Sequence, residues 1–288
     1  MTAETLLLPL YAAIGRMLPF AFAEPLFMKR AILATLLVAP TAAAVGVPLV
    51  QFRMAFFSDA IGHSAFTGIA LGVLLGIHPL GTMVAFGLFV AYAITLVKGR
   101  TELSPDTVIG VFFSTVVALG IAIISAQKGL TRNLQAYLYG DLLAVSDAEV
   151  LWMGALAGGV GTYLYLAFNR IMLLSANEGL ARTLGVRARA VEASFCLVVA
   201  LVVTTAIRAV GILLVTALLV IPAATARNVA RGTVEAFWIA VATALLSGLL
   251  GTAASFSLDT ATGATIVLFA AAFFAVSAAA GPLRGRAV

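Results

Sequence analysis

The sequence predicts an all-α, polytopic membrane protein, and three observations carry that reading. The 288 residues are 62% hydrophobic and only 10% charged, with a mean hydropathy of +1.13. Apolar runs of about 20 residues, the length that crosses a bilayer as a helix, recur along the whole chain. Glycine is frequent, at 26 residues, as expected where membrane helices pack backbone to backbone. A soluble core needs far less apolar surface. The net charge of +5 lies in short connections rather than in one patch, which sets nucleic-acid binding aside. The single cysteine, Cys196, excludes an intramolecular disulfide and any multi-cysteine metal cage. It reads as a small apolar residue in a helix.

Residues 1–30 form a preamble in which Pro9, Pro19 and Pro25 are expected to break any long helix. Ala21-Phe22-Ala23 has the look of a signal-peptide cleavage site. A basic n-region is lacking, however, and Arg16 interrupts the apolar run, so the segment is read as interfacial or peripheral. Hydrophobic spans are expected at 31–50, 52–76, 79–97, 106–126, 148–168, 190–207, 209–225, 234–253 and 261–281. The hairpin at 206–211 is tight, so the expected count is eight to nine crossings. Residues 31–281 make the membrane domain, and 282–288 a cytoplasmic tail.

Orientation follows from the basic residues, which favour the cytoplasmic side. With the N-terminus outside, Arg53, Lys98, Arg100 and the arginines of 170–189, 227–231 and 284–286 face inward. Lys29, Arg30, Lys128, Arg132 and Arg208 face outward, and the Lys29-Arg30 pair runs against the bias.

The most informative span is 52–76, FRMAFFSDAIGHSAFTGIALGVLLG. It carries Asp59 and His63, four residues apart and therefore on one helical face, one turn apart. If all of 52–76 is helical, His63 sits near mid-span. Ionisable groups at that depth cost several kcal/mol and ordinarily face a bundle interior or an aqueous path. A carboxylate and an imidazole on adjacent turns form half a site for a divalent transition metal. His78, before Pro79, reads as a turn residue.

Two connections stand out. In 177–189, Asn177 is a candidate N-cap, Glu178 suits a first turn, and Gly185 can end a short helix in the left-handed conformation. Such a helix on the cytoplasmic face is what a transporter offers to a motor subunit. The outer segment 130–146, LTRNLQAYLYGDLLAVS, is too apolar for a loop and too short to cross, so it is read as re-entrant or interfacial.

Three rival readings meet physical objections. A secondary, ion-gradient-driven metal carrier needs a relay of buried ionisable groups. Beyond Asp59 and His63 only Glu192 is a candidate. A serine hydrolase built on Gly62-His63-Ser64 fails, because neighbours on a helix diverge by about 100°. No G-x-x-x-x-G-K-[ST] loop occurs, so the chain does not hydrolyse ATP by itself. A purely structural membrane protein leaves the Asp–His pair without a role.

SDAIGHSAFTGIALGVLLG (58–76) resembles the signature helix of permease subunits in zinc- and manganese-uptake ABC transporters. NLQAYLYGDLLAVS (133–146), EGLARTLGV (178–186) and GILLVTALLVIPAATAR (211–227) are similar to further blocks of that family, in the same order. The resemblance, closest to the zinc-uptake branch, implies a homodimer in a prokaryotic cell membrane. It implies two cytoplasmic ATPase subunits, an extracytoplasmic metal-binding protein, and transported zinc or manganese with no permanently bound cofactor. It makes Asp59 and His63 contacts of the metal in transit. Glu178, Gly179, Ala181, Arg182 and Gly185 become the ATPase-coupling segment, and Asn133, Tyr137 and Asp141 belong to the outer gate or binding-protein dock. Two such chains about a two-fold axis would offer two carboxylates and two imidazoles.

Overall fold

The computed structural model describes residues 3–17, 24–126 and 142–280. The readings on 21–23, Asn133, Tyr137, Asp141 and the 282–288 tail lie outside these residues. Among the described residues there is no strand. The helices are α1 (Ala3–Met17), α2 (Leu26–Gln51), α3 (Phe57–Leu75), α4 (Pro79–Lys98), α5 (Pro105–Ala126), α6 (Asp147–Ala176), α7 (Glu178–Thr183), α8 (Ala188–Val210), α9 (Ile212–Val229), α10 (Thr233–Leu258) and α11 (Thr262–Ala280). Nine of them, all but α1 and α7, are long and apolar enough to cross a membrane. The tight hairpin is real: Gly211, at φ 82°, is all that separates α8 from α9.

Two groups of helices meet along α9. On one side α2 packs against α6, α9 and α10; on the other, α3 packs against α4, α5, α8 and α9. Small residues make this closeness possible, since lipid supplies no hydrophobic drive between helices and close van der Waals contact must replace it. On α2, Ala31, Ala34, Ala39, Ala42 and Ala43 are fully buried. Where α2 crosses α9, a Cβ on Gly46 would lie 1.9 Å from the Leu219 carbonyl oxygen, so only glycine fits.

The structure corrects several expected boundaries. Residues 52–76 are not one helix. α2 ends in a Schellman motif, with the Arg53 N–H donating to the Val50 carbonyl and the Met54 N–H to that of Leu49, both at 3.1 Å. Arg53 takes the left-handed conformation, φ 57°, and α3 begins only at Phe57. An arginine where glycine usually sits leaves no stop signal in the sequence. Pro9 does not break α1, because a proline forfeits one amide bond while Leu7, Tyr11 and Ile14 remain packed. α2 starts right after Pro25 and takes in Lys29 and Arg30. α6 continues to Ala176, since nothing in 169–176 interrupts a helix, and the expected connection at 169–189 shrinks accordingly.

The starts of α2 and α6 are tied by polar side chains. The Tyr11 hydroxyl donates to Asp147 Oδ1 at 2.6 Å. Arg30 donates to both oxygens of the same carboxylate, Nε at 2.8 Å and Nη2 at 2.6 Å. Burial, and then the Asp147 carboxylate, push the Tyr11 phenol up to about 12. Ser146 and Glu149 form a capping box at the start of α6, and Glu149 also pairs with Arg208 at 2.9 Å.

Candidate metal-ion pathway

Asp59 stands in the first turn of α3 and His63 one turn further on. The five-residue turn at 52–56 lifts the start of α3, and the neighbours show how far. The Gly87 backbone, near the middle of α4, lies against Thr204 of α8 and Ser64 of α3. His63 is therefore level with mid-α4, although α3 is shorter than the expected span. At the same height Gly62 packs against Ile212 and Thr216 of α9.

Each ionisable side chain has a dedicated neighbour. The Thr216 side chain of α9 lies beside the Asp59 carboxylate, its hydroxyl within 3.4 Å of the Leu213 carbonyl of its own helix, and Asp59 also lies in the field of His63. The His63 imidazole stands edge-on to the Phe113 ring of α5, with centroids 5.1 Å apart and planes at 87°. Ser58, Ala60, Ile61, Gly62 and Ser64 are buried around them, whereas Asp59 and His63 stay partly accessible. The pair thus looks out of a seam between α9 and α5. Carboxylate oxygen and imidazole nitrogen are both ligands for zinc, manganese or iron. Among the described residues no cluster of three or more His, Cys, Asp and Glu side chains forms.

Sequence reasoning missed both neighbours. Thr216 left a faint signal, a hydroxyl inside the apolar run GILLVTALLV. Phe113 left none, because its role comes only from the way α5 packs on α3.

Glu192, the one further relay candidate, is ion-paired with Lys98. Lys98 is the last residue of α4 rather than part of a connection, and its Nζ also reaches Met54 Sδ at 3.8 Å and the Phe52 ring at 5.8 Å. A carboxylate so neutralised is a structural fastener. His78 occupies the exposed position before α4, as a turn residue.

The segment expected to couple to an ATPase forms the short helix α7. The Asn177 side chain accepts from the Leu180 N–H at 3.0 Å, and Gly185, at φ 79°, closes a second Schellman motif. Ala181 is buried against Leu174 and Ala188, which fixes the helix to α6 and α8. Glu178, Gly179 and Arg182 remain outside, and Glu178 pairs with Arg182 at 2.6 Å. Of the proposed coupling residues, Ala181 is therefore an anchor, and the others form the surface or its terminus.

Nine helices long and apolar enough to cross a membrane, among the described residues, mark a multi-pass membrane protein. Comparison with known proteins gives the family: the model of the ABC 3 transport family matches residues 25–281, and the chain belongs to that family. It is 33% identical over 255 residues to the manganese import system permease protein ScaB of Streptococcus parasanguinis, covering 87% of this chain and 89% of that one. It is 30% identical over 247 residues to the high-affinity zinc uptake system membrane protein ZnuB of Haemophilus influenzae, covering 86% and 95%. A chain of the solved structure of PsaBC from Streptococcus pneumoniae in complex with Fab superimposes with a TM-score of 0.77 at 28% identity, covering 96% of this chain and 100% of that chain. The protein is thus an ABC-type permease of metal-uptake systems, multi-pass in the bacterial cell membrane.

Proposed function

We propose that this chain is the membrane subunit of an ATP-driven importer of divalent zinc or manganese, and that Asp59 and His63 contact the ion in transit. The observation that carries the reading is the pair itself, one turn apart on α3, with Thr216 beside the carboxylate and Phe113 flanking the imidazole. Two chains facing each other across a two-fold axis supply two carboxylates and two imidazoles, enough for tetrahedral coordination. The site must also release its ion, because conduction requires exit as well as entry. The metal is cargo, and no cofactor is held permanently.

The lack of an ATPase motif assigns hydrolysis to two partner ATPase subunits, docked on Glu178, Gly179 and Arg182 of α7. ATP-driven closure of those subunits moves α7, and α7 is fixed to α6 and α8 through Ala181. A metal-binding protein delivers the ion at the outer face, near 128–146 and 254–260, where Asn133, Tyr137 and Asp141 are the proposed contacts. The Lys98–Glu192 ion pair speaks against a proton-coupled carrier.

The test is radiometal uptake in vesicles holding the chain, its ATPase and its binding protein, with zinc and manganese in competition. ATP-dependent uptake lost in both Asp59→Ala and His63→Ala, with assembly intact, is the expected result. Wild-type uptake by both variants would overturn the pathway, and uptake without the ATPase would overturn the ATP-driven reading.

A further inference from the structure

Two helices mark the same bilayer boundary. From Val150 to Phe168, α6 carries no charged residue, a run of about 28 Å that matches the roughly 30 Å hydrocarbon core. Ala31 to Val50 of α2 is a second such run, of about 30 Å. Asp147 and Arg30, which are hydrogen-bonded to each other, stand just before these runs and therefore at headgroup level. The 76% exposed Trp152 lies in the first turn of the uncharged part of α6, where an interfacial tryptophan belongs.

α1 is fastened at this level. Its Tyr11 hydroxyl donates to Asp147 Oδ1 at 2.6 Å, and Leu7, Tyr11 and Ile14 are buried where α1 packs on α2 and α6. At 15 residues, about 22 Å, the helix is too short to cross. Leu6, Leu10 and Ala13 follow one another at helical spacing on the flank beside the docked side. Leu6 and Leu10 are 50% and 47% exposed. Ala12 and Arg16, both exposed, line the opposite flank. Leu8 shares that flank, in line with Gly15, where the Lys29 side chain of α2 approaches: a Cβ on Gly15 would lie 3.7 Å from its Nζ.

We infer that α1 lies flat in one surface of the bilayer, with Leu6, Leu10 and Ala13 against lipid, and anchors the starts of α2 and α6 there. A helix with one apolar flank and one basic flank, held at headgroup level, takes this posture because lipid accepts the first and water the second. Lys29 and Arg16 then stand on the side of water and headgroups, as long basic side chains do at an interface. From the anchor α6 runs unbroken to Ala176, one residue before α7. The clasp thus holds the end of α6 opposite α7.

The native Cys196 is fully buried, so a thiol-reactive nitroxide selects cysteines introduced on the surface of α1. Leu6→Cys, Ala13→Cys and Ala12→Cys are labelled in the full-length protein in phosphatidylcholine nanodiscs. Spin-label accessibility to oxygen, which concentrates in lipid, is compared with accessibility to a water-soluble nickel chelate. The expected result is oxygen access at positions 6 and 13, at equal depth, and nickel access at position 12. Nickel access at all three would place α1 in water and overturn the inference. Unequal depths at 6 and 13, which are about 10 Å apart along the helix, would show α1 standing rather than lying, and would overturn it too. Shielding of 6 and 13 from both reagents would mean that protein, a second copy or a partner, covers the flank in place of lipid.

Discussion

Arg30 grips the Asp147 carboxylate through two hydrogen bonds, 2.8 and 2.6 Å long, across 117 residues of chain. The bond joins the start of α2 to the start of α6, and Tyr11 docks α1 on the same carboxylate. Arg30 is thereby neutralised where it stands. Asp147→Ala leaves a guanidinium and a phenol without their acceptor. Charged hydrogen bonds of this kind contribute on the order of 2 kcal/mol. Thermal unfolding in detergent is expected to show a Tm lower by roughly 4–8 °C, and an unchanged Tm would show that the clasp contributes nothing.

Tyr11 gives that clasp a pH signature. Its phenol is raised from 10.0 to about 12 in the folded protein, so the fold favours the protonated form. The stability it contributes is complete below pH 10 and is lost as pH rises through about 12. Absorbance titration of phenolate in the folded protein should therefore show a late-ionising tyrosine that is missing in Tyr11→Phe. Identical titrations of the two proteins would refute the buried hydrogen bond.

Thr216 separates positioning from coordination at the proposed metal site. Its hydroxyl lies beside Asp59 without offering a charged ligand, so Thr216→Val should reduce metal uptake about fivefold, the effect of one lost polar contact, and mainly by raising KM. Asp59→Ala should abolish uptake. A Thr216→Val protein as inactive as Asp59→Ala, or fully active, would contradict this division.

Glu192→Gln tests whether the Lys98 ion pair is only a fastener. ATP-driven metal uptake should persist in the variant, with some loss of stability because Lys98 keeps a buried charge without its partner. A protonophore should leave wild-type uptake unchanged when ATP is supplied. Collapse of uptake under either condition would restore a proton-coupled mechanism.

The α2–α9 crossing predicts a sharp contrast between glycines. Gly46→Ala places a methyl 1.9 Å from a carbonyl oxygen that belongs to the backbone and cannot swing away. The helices must separate, and folded yield by size-exclusion chromatography should fall steeply. Gly158→Ala, where nothing lies within 4 Å, should express like the wild type. Equal yields would mean that the crossing opens without cost.

What the sequence determined by itself is whatever depends on composition or on residues within a turn or two of one another. Apolar runs reveal the crossings because a bilayer demands about 20 such residues each time. Four-residue spacing puts Asp59 and His63 on one face whatever surrounds them. Asn177 and Gly185 announce the ends of α7, since caps are made by side chains and dihedrals at the terminus itself. Tertiary structure alone decided the rest. Arg53 adopts a left-handed turn that its residue type does not advertise, which moves the start of α3 and with it the depth of Asp59. Lys98 meets Glu192 across 94 residues, and Thr216 and Phe113 reach the Asp–His pair from helices far along the chain. No local pattern encodes those partners, because each contact exists only after α3, α4, α5, α8 and α9 have packed.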